Sequence, residues 1–432
     1  MAEGRTLFKG ANLFDGRNAP TPNMNVVVSG RRIESVSKEV PPTAEGDRVV
    51  DLAGRTLMPG MVQGHFHACF GSFGSGAPAP VLGLEAPATF LGMLGAHNAR
   101  ILLNCGFTGA VGSSNPYGLD VSLKEAIAYE FTDGPRLLAC TREYVTSGDA
   151  ADGTNRSWYM ELGNTGLIRR VDGADAYRQA AREDFGRGAD VVKLSAGPGH
   201  GSHPATDFCY LTRAELDAVV GVAHDQGKLV RAHCPSRSAI MECADAGVDI
   251  IDHADRMDEA CIEAICRAGA TVLPSMLWSA TFLGLAENWD YAAQPFPIGS
   301  GFPEPLEETH KRIRGVREDF EHTCRMLPEL VKSGARIVIG DDFGTAIMRH
   351  GDYVNELELY VKELGIDAFD VLRWATYNGW DLMGMSDELG SVEAGKLADL
   401  VVVDGNPVAD ISCLKGPLVV MKDGVFVKDQ LN

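Results

Sequence analysis

His65-Phe66-His67 closes an apolar run, Leu57-Met58-Pro59-Gly60-Met61-Val62-Gln63-Gly64. If the run is a short buried strand, both imidazoles leave it on one face, because side chains i and i+2 of a strand point the same way. Two neutral imidazoles side by side begin a transition-metal site, zinc being the commonest. Two histidines satisfied by hydrogen bonds at a strand end are the plainer alternative. More metal-capable residues stand on other apolar runs. Lys193 lies within Val191-Val192-Lys193-Leu194, His233 ends Leu229–Ala232, His253 ends Val248–Asp252, and Asp341-Asp342 end Arg336–Gly340. Taken singly, the histidines could be half-buried strand caps and the acidic pair a helix cap. Together, five such strand ends make coincidence a poor account. Lys193 must be paired, deprotonated or modified, since burying a bare ammonium is costly. Carboxylation by CO2 would turn it into an anionic carbamate able to bridge two metals. A snorkelling lysine or a buried ion pair is the alternative.

Strands and helices must alternate to position these residues, and residues 57–385 do so. Val191–Leu194 is followed by a helical stretch at Arg213–Gln226, then by Leu229–His233. A helix at Ala239–Ala246, the run Ile250–His253, a helix at Glu259–Ala268 and the run Thr271–Pro274 come next. Repeated strand–helix units predict a parallel sheet. Over about 330 residues a (β/α)8 TIM-like barrel is the best fit, and an open doubly wound sheet the alternative. No GxGxxG or GxxxxGK[ST] is present, which weakens a nucleotide-binding version. Residues 280–310, rich in Pro, Gly and aromatics, predict a long loop. Both chain ends differ from this middle. Thr6–Phe8, Asn25–Ser29, Arg32–Val36, Leu400–Val403, and a hairpin of Val419–Lys422 and Val425–Lys428 around Asp423-Gly424 are short strands. They predict a small composite β-sandwich domain from residues 1–56 plus 386–432, leaving 57–385 as the catalytic barrel.

The 432 residues are enough for this pair of domains, and 45% hydrophobic with 23% charged residues is ordinary for a soluble enzyme. A formal charge of −20 argues against partners that are nucleic acids or anionic membranes. The ten cysteines show no CxxC or framework spacing, so reduced thiols and a cytoplasmic location are expected. Neither a signal-peptide core nor a window of about 18 apolar residues is seen. Chains of this size are often symmetric homo-oligomers, and one is expected here.

The order His-x-His, Lys, His, His, Asp, flanked by a split β-domain, resembles the amidohydrolase superfamily. It is most similar to the prolidase and imidazolonepropionase-like branch. Leu57–Val62 before His65, Ala189–Leu194, Ala246–His253 and Gly390–Leu400 carry the likeness, which covers nearly the whole chain. The resemblance implies two divalent metal ions, with zinc expected first and Mn, Fe or Co also suited to these ligands. His65 and His67 would bind the more buried ion, His233 and His253 the second, and carboxylated Lys193 both. Aligned on Gly340, the final ligand and proton carrier is Asp342, and Asp341 stands where relatives have threonine. The implied activity is cleavage of a C–N amide bond by a metal-bridging hydroxide. An N-acyl amino acid or dipeptide-like small molecule is the expected substrate. A cyclic amide, a ring deaminase or a lactonase is the neighbouring alternative, and a non-catalytic scaffold the outside one. Two departures bear on the substrate. His233-Cys234-Pro235-Ser236 replaces the His-Ala-His-Gly of relatives, and Ser147-Gly148-Asp149-Ala150 replaces their Thr-Gly-Gly-His. His350-Gly351 follows the acidic pair much as a His-Gly does in relatives, with a longer spacing here, so His350 is a substrate-binding candidate, and His200 and His203 are weaker ones of the same kind. Phe70 and Phe73 could wall an apolar pocket.

Overall fold

The apolar run before His65 folds as two strands, Arg55–Pro59 and Met61–Phe66. The break falls at Gly60, where a Cβ would lie 2.1 Å from the Thr108 hydroxyl oxygen. Each strand joins a different sheet. The computed structural model describes residues 4–71, 86–149, 152, 166–201, 207–298 and 305–431, a mixed α/β chain.

Arg55–Pro59 runs antiparallel to Leu400–Asp404 and parallel to part of Thr6–Leu13. The sheet continues through Thr21–Ser29 and Arg32–Ser37 on one side, and Val419–Lys422 and Val425–Asp429 on the other. Arg48–Asp51 pairs with Thr6–Leu13, so eight strands from both chain ends form one sheet. Phe8, Val26, Leu57, Leu400 and Val419 pack within its own apolar cluster.

Met61–Phe66 begins a parallel succession. Phe107–Gly112 and Arg136–Leu138 follow it in one sheet. Cys140–Val145, Val191–Ser195, Leu229–His233, Ile250–Asp252, Thr271–Leu273 and Arg336–Ile337 follow one another in a second, with Ile168–Arg170 at its edge. Only Ala139 separates Leu138 from Cys140, and its carbonyl accepts from Asp190 and Val191 N–H. At the far side Gly64 N donates to Ile339 O at 2.9 Å, so the last strand's continuation returns to the first. Gly340 is required there, because a Cβ would sit 2.5 Å from His65 N.

Helices sit between strands as the polar and apolar spacing dictates. Thr212 and Glu215 form a capping box at Arg213–Asp225, Ser236 caps Arg237–Ala246, and Asp258 caps Glu259–Ala268. The loop expected at 280–310 differs. Helix Met276–Glu287 runs into it and helix Leu306–Lys332 begins before its end. Trp278, Phe282, Leu283 and Ala286 are buried, and a helix buried on several sides lacks the polar stripe that would have marked it. All ten cysteines are free, and no helix among the described residues is long and apolar enough to cross a membrane.

A buried brace ties the turn after His67 to the strand Cys140–Val145. Asn115 Oδ1 accepts from Cys69 N at 2.7 Å, while its amide donates to Asp120 Oδ1 at 2.6 Å. Asp120 Oδ2 accepts from Cys140 N at 3.0 Å. Burial pushes the Asp120 carboxyl up to about 7 from 3.8. A raised carboxyl binds its proton more tightly in the folded chain, so its contribution is full below about 3.8 and is lost as pH rises to about 7. The gap in urea midpoint between the parent and Asp120→Asn is therefore expected to shift steadily across that window. A gap that does not vary with pH would contradict this.

Candidate metal centre

Parallel strands present their C-terminal ends at one end of the fold, where functional side chains gather. His65 and His67 are both buried there, on the face of Met61–Phe66 that the alternation required. Their Nε2 atoms lie 3.1 Å apart. Asp342 Oδ1 is 2.9 Å from the first and 3.3 Å from the second. His67 Nδ1 lies 2.9 Å from Ser114 O, so it carries the proton and turns the Nε2 lone pair inward. Burial holds His67 down at about 4. Two imidazole nitrogens and a carboxylate oxygen thus converge, with the Ser113 hydroxyl 2.7 Å from His65 Nε2.

A second group shares Asp342. His253 and His200 stack at 3.8 Å, and His200 Nε2 lies 3.7 Å from Asp342 Oδ2. The ligand atoms of His65, His67 and Asp342 lie within 4.8 Å of one another, as do those of His200, His253 and Asp342. His253 Nδ1 and His200 Nε2 are buried without hydrogen-bond partners, while His65 Nδ1 faces Asp252 Oδ1 at 3.5 Å. Orphaned imidazole nitrogens around a carboxylate suit divalent cations of the zinc type, so the residues fit the expected ions. Backbone strain collects here too. His200, His253, Ala254 and Ser275 are four of the eight non-glycine residues with positive φ among those described.

The remaining expected residues fall as follows. His233 ends its strand beside His253, ring centroids 4.6 Å apart, but belongs to neither compact group. Burial, then the Lys193 charge, bring it down to about 3. Lys193 is held as an ion pair, Nζ 2.6 Å from Asp252 Oδ2. Asp341 does not face the histidines. Its Oδ2 accepts from Leu277 N at 2.7 Å and Trp278 N at 3.1 Å, at the start of helix Met276–Glu287. The structure does not bring His350 into either group. It lies edge-on to Phe66, on the other face of the first strand, with Nδ1 2.8 Å from the Tyr353 hydroxyl. Phe70 stacks on the His67 ring at 4.1 Å, while His203 and Phe73 lie outside the described residues.

Several residues were not singled out from the sequence. Glu143 pairs in register with Lys193, and burial raises its carboxyl against the pull of that lysine. Asp255 holds His200 Nδ1 at 3.2 Å. Against burial, Asp255 and then Asp342 raise His200 to about 9. Arg231, fully buried, donates to both oxygens of Asp252. A charged residue inside an apolar strand was the available signal for Arg231, as it was for Lys193, whereas Glu143 stands beside Arg142 in a polar strand that gave none.

The sequence pattern of the amidohydrolase family matches residues 56–427, and the chain belongs to that family. It is 25% identical to an ochratoxinase of Aspergillus niger over 252 residues, covering 58% of this chain and 48% of that protein. The chain thus spans about half the length of that curated relative. Among solved structures it resembles a Xaa-Pro dipeptidase with methionine bound in its active site (27% identity, TM-score 0.85, covering 98% of this chain and 100% of the other). It also resembles a prolidase complexed with N-methylphosphonate-L-proline (26% identity, TM-score 0.83, covering 99% and 100%).

Proposed function

We propose that this chain is a metal-dependent hydrolase that cleaves a C–N amide bond in an N-acyl amino acid or dipeptide-like molecule. The observation that carries the reading is the convergence of His65, His67, His200 and His253 on the one carboxylate of Asp342. The parallel succession, returned on itself through Gly64 and Ile339, supports a (β/α)8 barrel with a composite β-domain from both chain ends. The ligands bound by the dipeptidase and the prolidase above favour an amino-acid-like substrate.

His65, His67 and Asp342 would hold one cation, and His253 with His233 or His200 the second, Lys193 joining both once carboxylated. Such cations supply an acidified water and a polarised scissile carbonyl. Asp342 is placed to take a proton at its Oδ atoms and deliver it to the departing amine. Phe70, flat against His67, keeps that imidazole from rotating.

Metal content of protein purified without chelators, for the parent and Lys193→Ala, tests this alongside a screen of N-acyl amino acids and dipeptides. About two ions per chain, with clear loss in the variant and hydrolysis of at least one class, are expected. One ion, unaffected by the substitution, would sink the bridging lysine and favour a ring deaminase. No metal and no hydrolysis would leave the scaffold reading.

A further inference from the structure

Arg142 lies in Cys140–Val145, and strand alternation places it on the face opposite Glu143, away from the histidines. It lines a cavity of about 320 Å³ bounded by the helices Leu119–Ala128 and Ala174–Gly186. Ser122, Glu125, Thr141, Asp184 and Arg187 line it as well, and none of these belongs to the histidine groups.

Arg142 is the unpaired cation among the two arginines and two carboxylates that line this cavity. Arg142 makes one side-chain hydrogen bond, a long one of 3.3 Å from Nη1 to Ile168 O, and has no ion pair among the described residues. Asp184 is already committed. Its Oδ1 accepts from Arg187 at 2.7 Å, and its Oδ2 from the Tyr144 hydroxyl at 2.6 Å and Arg169 at 3.1 Å. Glu125 is exposed and makes no bond to Arg142. Burial, then the neighbouring Arg169 guanidinium, hold Arg142 below the usual arginine range. A guanidinium stays charged, and the half-buried Arg142 keeps its charge with no carboxylate among the described residues paired to it.

We propose that this cavity binds a small oxyanion, a carboxylate or a phosphate, gripped by the fork of Arg142 with the Ser122 hydroxyl beside it. The volume suits a small molecule, and paired N–H donors match two oxygens of one anionic group. The site is separate from the histidine groups and stands whether or not the hydrolase reading holds. Arg142 faces the helices, and the preceding Thr141, which also lines the cavity, accepts the Lys193 backbone N–H through its hydroxyl.

The test is the thermal midpoint of the full chain titrated with inorganic phosphate and, separately, malonate, at constant ionic strength. A saturable rise with one of them is expected, as ligand binding to the folded state requires. The anion that produces it separates phosphate from carboxylate. Arg142→Gln is expected to abolish the rise. An equal rise in Arg142→Gln, as binding at the histidines would give, or no saturable rise with either anion, would overturn the proposal. Should Arg142→Gln fail to fold, Glu125→Gln decides. Removing that negative charge is expected to lower the half-saturating concentration by about threefold, and an unchanged value would overturn the site.

Discussion

Asp342→Asn is expected to reduce hydrolysis by about 10²–10⁴-fold and to strip metal from the purified chain. The carboxylate is shared by both histidine groups, with Oδ1 2.9 Å from His65 Nε2 and 3.3 Å from His67 Nε2. Its other oxygen lies 3.7 Å from His200 Nε2. Asparagine keeps the shape but removes the negative charge, and it can neither hold a cation as well nor carry a proton between reactants. The neighbouring Asp341→Asn should behave differently. Asp341 accepts two N–H groups at the start of helix Met276–Glu287, so its loss lowers stability more than metal content. Metal assay, kcat/KM and thermal midpoint on the two variants separate these roles. Activity of Asp342→Asn within tenfold of the parent would remove Asp342 from the centre of the proposal.

Strand alternation made the His65 and His67 pairing legible, because the period of two needs no knowledge of the rest of the fold. The choice between Asp341 and Asp342 was of another kind. Their neighbours in sequence are the same, and only the position of helix Met276–Glu287 shows which carboxylate is occupied by backbone N–H groups. His350 shows the limit of spacing arguments. It follows the acidic pair closely in sequence, yet the chain carries it behind the first strand, against Phe66 and Tyr353. The charge state of Lys193 was open for a similar reason. Its partner Asp252 lies 59 residues on and is delivered by the register of three adjacent strands. The two-ended sheet could be expected from the strand-rich termini, but the break at Gly60 depends on Thr108 lying against it.

Arg231→Met is expected to be the most destabilising single substitution in the strands beneath the histidines, at about 3–5 kcal/mol. The guanidinium is fully buried and crosses the interior of the parallel succession. Its Nη1 donates to Gly64 O at 3.0 Å and Gly112 O at 2.8 Å, carbonyls of the first two strands. Its Nε and Nη2 donate to Asp252 at 3.1 and 2.6 Å. Against the cost of burial, Arg231 first and Lys193 next hold the Asp252 carboxyl well below its usual range. Methionine fills the volume but takes the guanidinium donors from two buried carbonyls and leaves Asp252 with Lys193 and the His65 ring. Lys193→Met provides the contrast, since Asp252 then keeps both guanidinium bonds. It should lose less stability than Arg231→Met and, if Lys193 is a ligand, more metal. Urea midpoints measured with chelator present compare the two without the added stabilisation of bound metal. A midpoint for Arg231→Met no lower than that for Lys193→Met would mean that Lys193, not Arg231, is the main counter-charge of Asp252. Lys193 could not then leave that carboxylate to take up CO2 without exposing a buried anion, and the bridging role proposed for it would fail with the stability argument.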